Sequence, residues 1–203
     1  MNVILASASP RRAALLKQIN LRFTVEASTV DENSPNANSP ASLVESLSRK
    51  KGRDVAGRQS NSIIIAADTV VYLNNQILGK PANHQEAVQM LQSLSGKTHD
   101  VYSGVYVAKT DFSSKIIDDF SFFERTKVTF SALTEREIEM YIKSGSPFDK
   151  AGGYGIQDDL GSLFVKKIEG DYYNVVGFPL NGFYQQLKQH MPQVHQQLFF
   201  NTA

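Results

Sequence analysis

Ser62–Leu73 reads SIIIAADTVVYL and is the strongest strand signal in the chain. It is apolar almost without a break, the pattern of a strand covered on both faces rather than of one that alternates inward and outward. A sheet with a strand of that kind at its centre needs helices on both sides. Two polar residues, Asp68 and Thr69, stand within it. Asn74-Asn75 follows as a tight-turn signal leading into residues 76–79. Asn83 with Glu86 then resembles a capping box, and Val88, Leu91 and Leu94 carry that helix to Gly96.

Working outward, residues 3–6 read as a short buried strand. Ser9 caps a helix with Pro10 in its first turn, and Leu15, Leu16 and Ile19 form the apolar face. Residues 23–27 read as a second strand, 28–42 as a polar loop, and a helix capped by Ser39 follows with Leu43 and Leu47 at helical spacing. Downstream, residues 101–108, 122–130 and 162–168 read as strands. Thr134 with Glu137 caps a helix that ends at Gly145, and residues 179–190 read as the last helix. This mixed order predicts an α/β fold with a mixed sheet. At 203 residues the chain fits one domain, or two small lobes around a cleft.

Composition narrows the function. Lys plus Arg is 21 and Asp plus Glu is 20, so no overall charge draws the chain to nucleic acid or to an anionic membrane. Cysteine is absent, which removes disulfides, zinc-thiolate sites and cysteine nucleophiles, and fits a reducing compartment. Arg11 and Arg12 follow the short apolar start instead of preceding it, unlike a signal peptide, and no apolar run approaches a membrane span. A cytoplasmic location and no membrane partner are expected.

Four clusters carry chemistry. Ser7-Ala8-Ser9-Pro10-Arg11-Arg12 places two hydroxyls and two guanidiniums where a strand gives way to a helix, and helix N-termini and Arg both suit phosphate. The same residues also read as a capped helix with two solvated arginines. Asp68-Thr69 lies in the path of the core, where a carboxylate needs a partner; it serves equally as a strand-end Asp bonded to a turn. Gly79-Lys80-Pro81 holds a Lys on a turn, functional or simply solvated. In DKAGGYGIQ, residues 149–157, glycines let backbone approach a ligand. There Asp149-Lys150 leads in, and the Gln157 amide matches a base edge. A plain glycine-rich surface loop has the same composition. Asp31-Glu32 and Lys50-Lys51 are weaker signals. Together these groups suit a hard divalent cation and a polyphosphate. The four histidines lie outside all four clusters.

LASASPRRAALL, DE, AADTVV, LGKP, SGKTHDVYSGV, DKAGGYGIQ and GDYYNVVGFPL occur in that order from about residue 3 to residue 187. In these segments the chain resembles the Maf (septum-formation-associated) proteins, and within them the dTTP/UTP pyrophosphatase branch. The branch acting on 7-methyl-GTP has Asp-Gln after the central strand and an AGSF-type segment, whereas here Thr69 follows Asp68 and the late segment is AGGYGIQ. The resemblance implies a mixed sheet flanked by helices, with a deep cleft like that of inosine triphosphate pyrophosphatases, in a single domain over 1–203 with a tail from about Pro192. It implies hydrolysis of dTTP and UTP to monophosphate and pyrophosphate, with Mg²⁺ or Mn²⁺ as cofactor. By motif it makes Asp68 the general base and, with Glu32, a metal ligand. It places Lys80, Asp149 and Lys150 among the catalytic groups. Ser7, Arg11, Arg12, Lys51, Thr69 and Gln157 become substrate-binding. The alternative is a non-catalytic nucleotide-binding regulator of cell division. Oligomeric state stays open, with a homodimer as the candidate assembly.

Overall fold

The structure is a computed structural model and describes residues 1–31, 38–157 and 160–200. Along the chain run β1 (Asn2–Leu5), α1 (Pro10–Gln18), β2 (Thr24–Val25), α2 (Pro40–Ala56), β3 (Ser62–Leu73) and β4 (Gln76–Leu78). Next come α3 (His84–Leu94), β5 (Thr98–Thr110), β6 (Ile116–Phe130) and α4 (Glu135–Lys143). The last elements are α5 (Gly161–Phe164), β7 (Val165–Glu169), α6 (Tyr172–Val176), α7 (Leu180–His190) and α8 (Pro192–Phe199). The strand order is β2-β1-β3-β5-β6-β7, with β4 also paired to β3. β1 pairs in parallel with both β2 and β3, whereas β3–β4 and β6–β7 are antiparallel. The sheet is therefore mixed, and the fold is α/β.

Two compact units divide the described chain. The first comprises residues 1–31, 38–68, 103–124 and 177–200, and the second residues 69–102, 125–157 and 160–176. In the first, Ile4, Ile64, Ala66, Tyr106 and Ala108 from strands, with Ala6 just past β1, meet Val55 and Ala56 of α2 in one core. Ile63 to Ala67 are fully buried, as the unbroken apolar run predicts. α2 approaches closely because Gly52 has no side chain: a Cβ there would overlap the Tyr106 ring. The second unit packs Leu91 and Leu94 of α3, and Ile138, Tyr141 and Ile142 of α4, with Val71, Val101, Val128 and Phe130.

Most helix starts fall where the caps predict. Ser39 and Thr134 each form a reciprocal capping box, and Asn83 accepts from the Glu86 amide at 2.9 Å. The Asn74-Asn75 turn has positive φ at both residues, 50° and 64°, as a two-residue hairpin requires.

Four expectations need correction. Only Thr24–Val25 of the second strand pairs, opposite Ile4 and Leu5 at the end of β1. β5 and β6 extend well past the predicted 101–108 and 122–130, because Asp111 closes a turn between them by accepting from the Ser113 and Lys115 amides. Residues 161–164 are helical rather than strand. There Gly161 abuts the Gly155 carbonyl too closely for any side chain, and Phe164 turns inward onto Tyr141. α7 is not the last helix. The tail from Pro192 forms α8, whose His195 and Phe199 rings lie 4.6 and 5.1 Å from that of Tyr184. No helix among the described residues is long and apolar enough to cross a membrane.

Candidate active site

In the first unit, parallel pairing sets Leu5 opposite Ile65, and the Ala6 amide continues the ladder onto the Ile65 carbonyl at 2.8 Å. The turn after β1 therefore lies beside the Ala67-Asp68 end of the neighbouring run. In that turn the Ser7 hydroxyl accepts from the Ser9 amide at 3.2 Å and from Arg12 Nη1 at 3.0 Å. Arg12 Nε donates to the Gly177 carbonyl at 3.0 Å. Gly177 sits at φ 128°, a backbone state that only glycine adopts readily. Arg12 is thus a held guanidinium at a helix N-terminus and not a solvated one, while Arg11 is half-buried beside it.

Lys51 of α2 donates to Asp68 Oδ1 at 2.6 Å, and both side chains are only 10% exposed. A buried carboxylate is tolerated because its charge is paired; removing either partner would strand the other. The weak Lys50-Lys51 signal thus supplies the counter-ion of the strongest carboxylate signal. Lys50 donates to the Asp31 carbonyl at 2.9 Å. Asp54, which no motif singled out, accepts from the Thr29 amide at 3.0 Å and from the Ser28 hydroxyl at 2.9 Å. The Thr29 amide, opposed in part by burial, holds the Asp54 carboxyl below its usual range. Residues 28–31 are thereby fastened to α2. Glu32 lies outside the described residues.

In the second unit, the Gly152 amide donates to the Gly79 carbonyl at 2.9 Å, which joins the LGKP turn to the DKAGGYGIQ loop. Gly152 has φ 71°, and a Cβ on it would meet Val71 Cγ2 at 2.8 Å, so this glycine serves packing on β3. Lys150 is buried and donates to the Ser146 carbonyl and to Asp149 Oδ1, each at 2.6 Å, drawing the expected Asp149-Lys150 pair into the loop's own structure. Lys80 and Gln157 are exposed, and Thr69 is half-buried.

Sequence reasoning missed what holds this loop. Tyr154 is buried, and its hydroxyl bonds His99 Nε2 at 2.7 Å. The Gly155 amide donates to the Tyr141 hydroxyl at 2.9 Å. His99 falls outside every cluster along the chain yet reaches the fourth one through Tyr154. The alternation in THDVY was the available signal, since it sets His99 and Val101 on one face.

Burial lowers the His99 imidazole to about 4, only partly opposed by Asp100. The ordinary value is 6.5. The folded state therefore binds this proton less well than the unfolded chain does. Its stabilising contribution is complete above about pH 6.5 and declines as pH falls towards 4, by about 3 kcal/mol in all at ~1.4 kcal/mol per unit. Unfolding free energies measured from pH 7 to 4 should fall less steeply for His99→Gln than for the unaltered chain; equal slopes would reject the assignment.

Among the described residues no three His, Asp or Glu side chains gather into a metal-binding group. Asp68 is one hard oxygen donor.

The family described as Maf-like protein matches residues 2–190. A dTTP/UTP pyrophosphatase of Bacillus cereus is 48% identical over 187 residues, covering 92% of this chain and 94% of that protein. One from Bacillus mycoides is 46% identical over the same shares. The solved Ham1 protein of Staphylococcus aureus matches 64% of this chain and 72% of its own, at 13% identity and a TM-score of 0.44. With the family match spanning nearly its whole length and such relatives at almost half identity, this chain belongs to the Maf-like family.

Proposed function

We propose that this chain hydrolyses nucleoside triphosphates, dTTP and UTP among them, to the nucleoside monophosphate and pyrophosphate. The observation that carries the reading is the buried Lys51–Asp68 pair beside the Ser7–Arg12 turn. That arrangement sets a fixed carboxylate near a helix N-terminus and a held guanidinium, which are groups for water activation and for phosphate. The relatives that bear the pyrophosphatase name support the substrate class.

The residues divide the work as follows. Asp68 takes the proton of the attacking water as its oxygen bonds to the α-phosphorus. The bond from that phosphorus to the bridging oxygen breaks, and pyrophosphate departs with the electron pair. Lys51 fixes one carboxylate oxygen of Asp68 and offsets its charge. Arg11, Arg12 and the Ser7 hydroxyl bind phosphate oxygens, with Lys80 as a further cation for the leaving group. Asp149 orients Lys150, which braces the loop that bears Gln157. Thr69 and Gln157 select the base. A divalent cation, Mg²⁺ or Mn²⁺, held by Asp68 and Glu32 with the phosphates, would supply Lewis acidity at phosphorus. The activity is assigned to the whole chain, because the family match and the similar pyrophosphatases run over nearly its full length.

Incubation with dTTP or UTP and Mg²⁺ should yield monophosphate and pyrophosphate in equal amounts, and thorough chelation should abolish turnover. Release of diphosphate with orthophosphate would overturn the reaction, and full activity in metal-free buffer would remove the cation from it.

A further inference from the structure

Residues 151–157 are fastened at three places within the second unit. The Gly152 amide is bonded to Gly79, Tyr154 to His99, and the Gly155 amide to Tyr141. The last two fastenings sit two and three residues before Gln157. They come from different elements, β5 and α4, that also build the core of this unit. Tyr154 is gripped on its ring as well, edge-on to Phe130 at 4.7 Å and to His99 at 5.3 Å. Gln157 itself is exposed. An amide at the end of an unpinned glycine loop would present donor and acceptor in many directions, and reading one base edge needs a single direction.

We infer that Tyr141 and His99 are positioning residues for base selection, holding the backbone at 154–155 so that the Gln157 amide meets the pyrimidine in one orientation. This rests on the proposed role of Gln157. Neither residue touches the substrate in this scheme; each acts through the loop. Both sit rigidly enough to do so. Tyr141 is buried and packs edge-on to Phe164 at 5.2 Å, and His99 is buried against Phe130 at 5.1 Å. Among the described residues the buried His99 Nδ1 meets no hydrogen-bond partner, and the imidazole bonds to Tyr154 through Nε2.

The test is a double-mutant cycle on selectivity, read as kcat/KM for UTP over that for CTP, with Tyr141→Phe, Tyr154→Phe and Gln157→Ala. Each tyrosine variant loses one hydroxyl and keeps its ring in the core. Each should lower the ratio by about three- to tenfold, the scale of one hydrogen bond. Combined with Gln157→Ala, neither should lower it further, because the group being positioned is gone. Amide exchange at Gly155 should quicken in Tyr141→Phe. A fall in all rates alike with the ratio intact, or selectivity losses that add to that of Gln157→Ala, would overturn the inference while leaving the base-reading role of Gln157 standing. An unchanged ratio in Gln157→Ala alone would overturn both.

Discussion

Asp68→Asn should lower kcat for dTTP and UTP by ~10²-fold or more, the scale of one general-base contribution. The swap preserves shape and leaves an oxygen that can accept from Lys51. It removes the negative charge, and an amide cannot take the proton of water. Electrostatics add a second effect. Lys51 and Asp68 are both about nine-tenths buried at the side chain and 2.6 Å apart, so the variant leaves an ammonium beside a neutral amide. Stability should therefore drop by about 1–3 kcal/mol, and Tm by ~2–4 °C for each kcal/mol in a chain of this size. The two effects separate by measuring kcat well below the variant's Tm with the fold checked by circular dichroism. A folded variant with a near-normal rate would place the base elsewhere.

Gln157→Ala should erode discrimination against CTP by about 10- to 100-fold while changing kcat for UTP far less. Uracil and thymine share an edge of O2, N3–H and O4, and an amide offers both a donor and an acceptor to it. Cytosine inverts the pattern. The methyl that separates thymine from uracil is worth at most ~1–3 kcal/mol in a pocket, so dTTP and UTP should both remain substrates. The loop's own amides add little to this reading. Those of Gly152, Gly153 and Gly155 are already bonded to Gly79, Lys150 and Tyr141, so these N–H donors are engaged in holding the loop. The measurement is kcat/KM for dTTP, UTP, CTP and GTP on both proteins. An unchanged ranking, with all four lowered alike, would confine Gln157 to bracing the loop.

What the sequence determined by itself was local or repetitive. An apolar run broken only by Asp68 and Thr69 leaves β3 no choice but the sheet interior, and the element spans Ser62–Leu73 as that run does. Ser9, Ser39, Asn83 and Thr134 each meet their amides within three residues, so those helix starts needed no distant contact. The candidate site's motif residues stood out for a similar reason: they lie in short segments that carry charges or glycines where a core would exclude them. Tertiary structure decided which of those groups meet. Lys51 and Asp68 are 17 positions apart, on a helix and a strand, and only α2 packing on the sheet turns a weak lysine signal and a conspicuous carboxylate into a buried pair. His99 and Tyr154 are 55 apart, and Arg12 and Gly177 are 165 apart. No periodicity registers such distances, because they depend on which faces the core brings together. The same cause explains why residues 162–164, the start of the strand expected over 162–168, are helical while 165–168 pair as β7. The segment's alternation suits a strand, but Phe164 buries against Tyr141 and Gly161 against Gly155, and that packing outweighs the local preference.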